Sequence, residues 1–377
     1  INALRKAKEH YESVDLNPET IISAEKTIYR NKLALNKVNS INKSLIGEMV
    51  EAEDFLTELK EIISSTKIQM HKPVKHKKSK KASERTLVAH ISDTHIGVCI
   101  RKEEMGGINE FDTTIAARRF AFLFDQIADY KLQYRNDTDL VIVLNSDLMA
   151  GVIHDQEWGV LPMASQFAHA LSIFLQGISY VATKFKNVRV ICTTGNHCRF
   201  MHKSNQGRQT SMKWDSFATI LSVSLKEALS KYKNVSFEIP ETPYAKFKIY
   251  DHDFFATHGD TVFNIGNVSK SINMKNWKDQ INDIISGIGN IDVAMVGHVH
   301  KITWQTLDNG VEVLVNGTLS GTDPFAQSIG IMHNNPAQQI FEVTPKYRVG
   351  DVRFVRVKDA DKDASLEKII KPLKGNF

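Results

Sequence analysis

Cysteine is scarce in this chain of 377 residues, and the three present, Cys99, Cys192 and Cys198, are odd in number and lack metal-finger spacing. A disulfide framework is therefore not expected, and a reducing compartment, by default the cytoplasm, is. Long apolar runs are also missing. No stretch approaches the length a bilayer requires and no signal-peptide pattern opens the chain, so no membrane association is expected. Residue 1 is isoleucine, which leaves upstream targeting unjudged. Charge of one sign is missing over most of the length: residues 1–85 hold 17 Lys+Arg against 12 Asp+Glu, and the rest carry 31 of each. Within that first part, residues 67–85 hold eight basic residues against Glu84 alone, so one short segment supplies the whole formal excess of +5. What is present is an ordinary globular balance, 42% hydrophobic, with length enough for one large domain and an appendage.

Residues 1–66 place Ile22, Ile28, Leu33, Leu35, Val38, Ile41 and Leu45 at roughly helical spacing with charge between them. That pattern predicts an α-helical N-terminal region, a packing or oligomerisation hairpin that would make the protein a homo-oligomer. Without its basic tail the region is slightly acidic, which disfavours a nucleic-acid-binding helix pair. Residues 67–85 have no apolar period and repel one another. They read as a solvated basic linker, either a plain tether or a clamp on the phosphates of a polyanion. From residue 86 to 377 strands and helices alternate. Strands are expected over 86–91, 140–144, 188–192, 254–256 and 293–296, and helices over 113–134, 164–186, 216–231 and 277–288. An Asn309-Gly310 turn joins two further strands at 302–306 and 311–315, and 348–357 reads as a closing strand. The order implies an α/β core with added antiparallel strands.

Five stretches at the expected strand ends carry the chemistry: Asp93-Thr94-His95, Asn145-Ser146-Asp147, Gly195-Asn196-His197, Thr257-His258-Gly259-Asp260 and Gly297-His298-Val299-His300. Open α/β sheets keep their sites at the C-terminal ends of strands. Carboxylates, imidazoles and one Asn, with no thiolate, form a ligand set of intermediate hardness suited to Mn, Fe, Zn or Ni. Taken singly, Asp93 with His95, or His298 with His300, reads as a capping pair or a hydrogen-bonded core histidine. All five together point to a binuclear centre, which needs one bridging carboxylate and a few terminal ligands for each ion.

In this order the motifs resemble those of the calcineurin-like metallophosphoesterases, D-x-H, G-D-x-x-[DH], G-N-H-[DE], a later H and G-H-x-H, over about residues 86–345. The resemblance implies a metallophosphoesterase-type β-sandwich flanked by helices, preceded here by the helical N-terminal region, and two divalent cations, manganese first among the candidates. Carried over by position, one cation is held by Asp93, His95, Asp147 and His300, and the other by Asp147, Asn196, His258 and His298. Asp147 bridges, and His197 binds the phosphate and stabilises or protonates the leaving oxygen.

The departures from the family pattern narrow the reading. Ser146 replaces the glycine before the bridging carboxylate, a bulkier turn expected to be tolerated. Ala150 stands where the family's phosphatases carry Asp and its repair nucleases often carry His, which argues against protein phosphatase activity. Cys198 replaces the acid that commonly orients the catalytic histidine, leaving Asp215 as a candidate. His154 reads either as a stand-in for the histidine missing at position 150 or as a supporting group. The loop after His197 is basic: Arg199, His202, Lys203, Arg208 and Lys213 either grip substrate phosphates, Arg199 nearest the scissile group, or are ordinary surface charge. Two further stretches, Asn316-Gly317-Thr318-Leu319-Ser320-Gly321 and Asn335-Pro336-Ala337-Gln338-Gln339, together with residues 151–155, resemble bacteriophage-encoded members of the family, for which the host cytoplasm is the corresponding location. The leading expectation is a two-metal phosphodiesterase acting on DNA or RNA, similar to the repair exonucleases. The alternatives are a hydrolase of a small phosphoester, such as a cyclic nucleotide or nucleotide pyrophosphate, and a metal-stabilised binding protein.

Overall fold

The computed structural model describes residues 26, 29–39, 57, 68–76, 84–134, 138–152, 160–199, 216–260, 262, 274–328 and 334–373. The chain divides into two compact units, Ile1–Glu58 and Leu59–Phe377. In the first, residues 29–39 are helical and leave Tyr29, Leu33, Leu35 and Val38 exposed. The remainder of the expected N-terminal helices lies outside the described residues.

In the second unit, β1 (Arg85–Ile91), β2 (Thr138–Leu144), β3 (Val188–Cys192) and β4 (Val235–Glu238) run parallel in one sheet. Antiparallel β10 (Ala337–Val343) and β11 (Val352–Arg356) extend it beyond β1, for the order β11-β10-β1-β2-β3-β4. The second sheet contains β5 (Tyr244–Ile249), β6 (His252–Thr257), β7 (Val293–Val296), β8 (Thr303–Thr306) and β9 (Glu312–Val315), in the order β5-β6-β7-β9-β8. Its centre, β6-β7-β9, is parallel and its edges are antiparallel.

Alternation along each strand explains the layers. Val88, Val141, Val143 and Ile191 face Phe254, Val293, Met295 and Leu314 across the space between the sheets. Their neighbours Leu87, Ala89, Ile142 and Val190 face outward against α1 (Thr113–Tyr134), α2 (Met163–Ala182) and α3 (Phe217–Ala228), which supply Phe120, Phe124, Phe174 and Leu221. Beyond the second sheet, Trp277 and Ile281 of α4 (Met274–Ile288) cover Phe255, Ala294 and Val313. Central strands are thus buried on both faces, and they read in sequence as continuous apolar runs rather than alternating ones. Two sheets face to face with helices outside is the α/β sandwich that the sequence leads one to expect. No helix among the described residues is long and apolar enough to cross a membrane.

Three strands were not anticipated. β4 and β5 alternate apolar with charged or polar residues, and β10 places two glutamines in its centre. Gln338 and Gln339 are nonetheless fully buried: the Gln338 amide bonds Asn316 and main-chain carbonyls, and Gln339 Nε2 donates to the Val315 carbonyl at 2.9 Å. The first half of the expected solvated linker is also corrected. Residues 68–76 lie along the domain: Ile68 packs on the core, the His71 N–H donates to Ser179 Oγ at 3.0 Å, and its ring bonds the Ile369 carbonyl at 3.0 Å. Tyr232 hydroxyl donates to the His71 carbonyl, and the His76 ring bonds Ala182 O at 2.9 Å. Histidines and one isoleucine among the lysines give this segment the anchors that a charge count does not register.

Candidate metal centre

The parallel strands β1, β2, β3, β6 and β7 bring all five motifs to one edge of the sandwich, and hydrogen bonds between loops lock them together. The Asp93 N–H donates to Ser146 O at 3.1 Å, and the N–H groups of Thr94 and His95 both reach Asp147 O, at 2.9 and 3.1 Å. Gly297 N–H donates to His258 O at 3.0 Å, which ties the fourth motif to the fifth. The His197 N–H donates to Asp147 Oδ1 at 3.0 Å. Two glycines permit this proximity: a Cβ on Gly195 would sit 2.3 Å from Asp147 Oδ1, and one on Gly297 would sit 2.9 Å from Asp93 Oδ2.

Strain concentrates here. Asp93, His95, Ser146, Asp147, His298 and His300 all take left-handed backbone angles, φ 53°, 45°, 64°, 48°, 66° and 59°. Each costs a non-glycine residue about 1 kcal/mol, and six in one place are held only because the surrounding fold over-determines them. Ser146, which stands where the family pattern has glycine, takes φ 64°, a left-handed angle that favours glycine.

The ligand atoms converge in three overlapping groups, each with atoms within 4.8 Å of one another: Asp93, His95 and His300; His95, Asp147 and His197; Asp147, His258 and His298. Every ligand position read from the sequence is in one of these groups, apart from Asn196, whose buried Oδ1 has no hydrogen-bond partner. Asp147 Oδ2 and His258 Nε2 lie 2.7 Å apart as a buried pair, and neither atom has any other partner. His95 Nε2 and His300 Nε2 face each other at 3.1 Å, and His300 Nε2 lies 3.3 Å from Asp93 Oδ1. Unpartnered buried oxygens and nitrogens crowded around common points are costly unless something shares them, and this donor set fits a pair of divalent cations.

Charge accounts for the protonation pattern of the bare site. Burial alone would raise the Asp93 carboxyl, but the hydrogen bond and charge of His300, with His258, outweigh it and hold it at about 2. Asp147 follows the same logic: burial opposes its charge, and His258 and His197 keep it well below the usual carboxylate range. Burial would lower His258, whereas Asp147 beside it pushes the ring up to about 9. His300 is likewise raised, by Asp93 against burial. Burial and then the neighbouring imidazoles push His95 well down, and burial and His258 push His298 down to about 4. His258 therefore holds a proton where a cation would sit, whereas the His95 and His298 rings are neutral.

Outer contacts orient these groups. His258 Nδ1 bonds the Asn145 carbonyl at 3.1 Å, which turns Nε2 toward Asp147. The partner of His197 is one the sequence reading missed: its Nδ1 bonds the carbonyl of Ala150 at 2.8 Å. Main-chain oxygen thus does what no side chain at position 150 or 198 does. Cys198 itself is buried, and burial followed by the charge of Asp147 pushes its thiol up to about 12, so it stays neutral. Arg199 pairs through Nη2 with Asp260 Oδ2 at 3.2 Å, two residues beyond His258. Phe217 packs on the core, whereas His154, His202, Lys203, Arg208, Lys213 and Asp215 lie outside the described residues.

Residues 86–302, more than half of the chain, match the family model described as calcineurin-like phosphoesterase. No curated protein sequence matches. Solved structures that resemble the fold include wild-type Vps29 complexed with zinc from Entamoeba histolytica, at 12% identity and TM-score 0.30, covering 72% of this chain and 99% of that one. A conserved Streptococcus pneumoniae protein described as a predicted phosphoesterase is 14% identical with TM-score 0.28, covering 72% of this chain and 98% of its own. A 5'-nucleotidase from Candida albicans is 9% identical with TM-score 0.35, covering 80% and 58% respectively.

Proposed function

The chain belongs to the calcineurin-like phosphoesterase family, and on that premise and the site geometry we propose that it is a two-metal phosphodiesterase that cleaves nucleic acid. Asp93, His95, Asp147 and His300 would hold one cation and Asp147, Asn196, His258 and His298 the other, manganese being the first metal to try. When bound, such a pair lowers the pKa of a water between the ions and neutralises charge on a phosphoryl group. The protein's own part is to aim that chemistry. Asp147 is common to both ligand sets and fixes their spacing. His197, oriented by the bond from Nδ1 to the Ala150 carbonyl, would hydrogen-bond the phosphate and return a proton to the leaving oxygen.

The observation that carries the reading is the convergence of buried carboxylates and imidazoles around one shared carboxylate, Asp147, with the Asn196 Oδ1 beside them left without a hydrogen-bond partner. A polymeric substrate is favoured by the concentration of basic residues over 67–85 and by Arg199 near the second ligand set. The test is incubation of the purified chain with Mn²⁺ and labelled single- and double-stranded DNA and RNA, beside a generic aryl phosphodiester. Turnover of the aryl diester without cleavage of any polymer would refute the nuclease reading while leaving the phosphoesterase intact.

A further inference from the structure

We propose that the Ser92 hydroxyl, which accepts from the Asn316 side-chain amide while Gln338 holds the Ser92 main chain, positions the Asp93 carboxylate for the cation it would share with His95 and His300. The inference rests on the metal-binding reading above. It gives a role to two sequence stretches that the ligand set does not use, residues 316–321 and 335–339.

Backbone donors fix the direction of every bond in this network. The Gln339 N–H donates to Asn316 Oδ1 at 3.1 Å, so the Asn316 amide nitrogen must face the other way. There it donates to His90 O at 2.9 Å, to Ser92 Oγ at 3.1 Å and to Gln338 Oε1 at 2.8 Å. The Ser92 N–H donates to Gln338 Oε1 at 3.0 Å, which turns Gln338 Nε2 toward the carbonyls of Ser92 and Gly317, at 3.1 and 2.9 Å. Ser92 Oγ therefore accepts from Asn316, and its single hydrogen is directed to Asp93 Oδ2, 2.5 Å away. A hydroxyl bonded to a carboxylate at that distance belongs to the strong class of charge-assisted hydrogen bonds.

The consequence is a carboxylate whose two oxygens differ. Oδ2 is engaged by Ser92, and Oδ1 faces His300 Nε2 at 3.3 Å, while the His298 N–H spans both at 3.0 and 3.1 Å. The same stretch holds the main chain of Asp93 as well: Thr318 Oγ1 and the Leu319 N–H both donate to its carbonyl, at 2.9 and 3.0 Å. Ser92, Asp93, Asn316 and Gln338 are all fully buried, so water does not replace any of these bonds. Groups that orient a ligand from behind typically change metal affinity by about 10–100-fold when removed.

Titration of the metal-free full-length chain with Mn²⁺ alone, followed by calorimetry, is the test. The wild type should take two ions. Ser92→Ala should weaken one of them by about 10–100-fold and leave the other within a few-fold. The metal-free variant should melt within a few degrees of wild type. Ser92→Cys, close to serine in size, should behave like the alanine variant because a thiol is a weak donor, and it serves if alanine prevents folding. Adding Asn316→Ala to Ser92→Ala should cost little further affinity, since the two act through one path. Unchanged affinity for both ions in the Ser92 variants overturns the inference, as does an equal loss at both sites with a large fall in melting temperature, which marks general loosening. A wild-type chain that takes up no Mn²⁺ overturns instead the metal-binding reading on which the inference rests.

Discussion

Metal loading should release protons, and the structure says from where. In the bare site His258 is buried, its Nδ1 bonded to the Asn145 carbonyl at 3.1 Å and its Nε2 2.7 Å from Asp147 Oδ2. Asp147 overrides the burial penalty and pushes the ring up to about 9, so at neutral pH Nε2 carries a proton. A cation that takes Nε2 must displace it. Apparent affinity should therefore rise about tenfold for each pH unit from about pH 6.5 toward 9, or about 1.4 kcal/mol per unit. His300 is shifted in the same direction, whereas His95 and His298 are already neutral and add nothing. Calorimetric Mn²⁺ titrations at neutral pH in two buffers of different ionisation enthalpy count the protons directly; about one or more per chain is expected. The metal-free protein should show the opposite trend. A histidine raised on folding contributes stability that is fully present below its ordinary pKa of 6.5 and lost as pH rises through about 9. Melting temperature without metal should fall across that window. A dissociation constant independent of pH between these limits, with no proton released, would refute the assignment of His258 Nε2 as a ligand atom.

Replacing Asp147 by Asn removes the charge common to both ligand sets and should abolish turnover and bring metal content, by elemental analysis, below two ions per chain. His197→Ala should keep its metals while kcat falls by about 10²-fold or more, as for loss of a general acid; a variant that loses metal instead places His197 among the ligands. Arg119 is fully buried, bonding Asp361 Oδ1 and Oδ2 at 2.6 and 2.7 Å and the Leu319 and Ser320 carbonyls at 2.8 and 3.0 Å. Arg119→Ala should lower stability in urea unfolding by about 3–5 kcal/mol, because Asp361 and two carbonyls lose their partner. His71→Ala should cost about 1 kcal/mol and raise amide exchange over residues 68–76, since one of the bonds that pin that segment is gone.

The legible parts of this protein are those whose signal is local. Runs such as Leu140–Leu144 and Val293–Val296 announce buried parallel strands because both faces are apolar, and the helix at Thr113–Tyr134 is periodic over its full length. The candidate ligand residues could be named because each motif follows a strand and the five occur together, not because any one is recognisable alone. β10 was not readable: two adjacent glutamines look like surface, and only their partners on Asn316 and Val315 make them core. The strap at 68–76 was misread for the mirror-image reason, since its histidines look like surface charge until the carbonyls they bond come into view.

By itself, then, the order of residues determined which side chains are candidates for the chemistry, the family, and the alternation of strands and helices, all of which depend on spacing along the chain. Tertiary structure decided which atoms are left without partners, that a main-chain carbonyl at Ala150 bonds the His197 ring, and that Asp93 accepts from a serine whose hydroxyl is in turn held by a distant amide. Those properties depend on hydrogen-bond direction and burial. Both arise only when residues more than two hundred positions apart, such as Ser92 and Asn316, are brought within bonding distance.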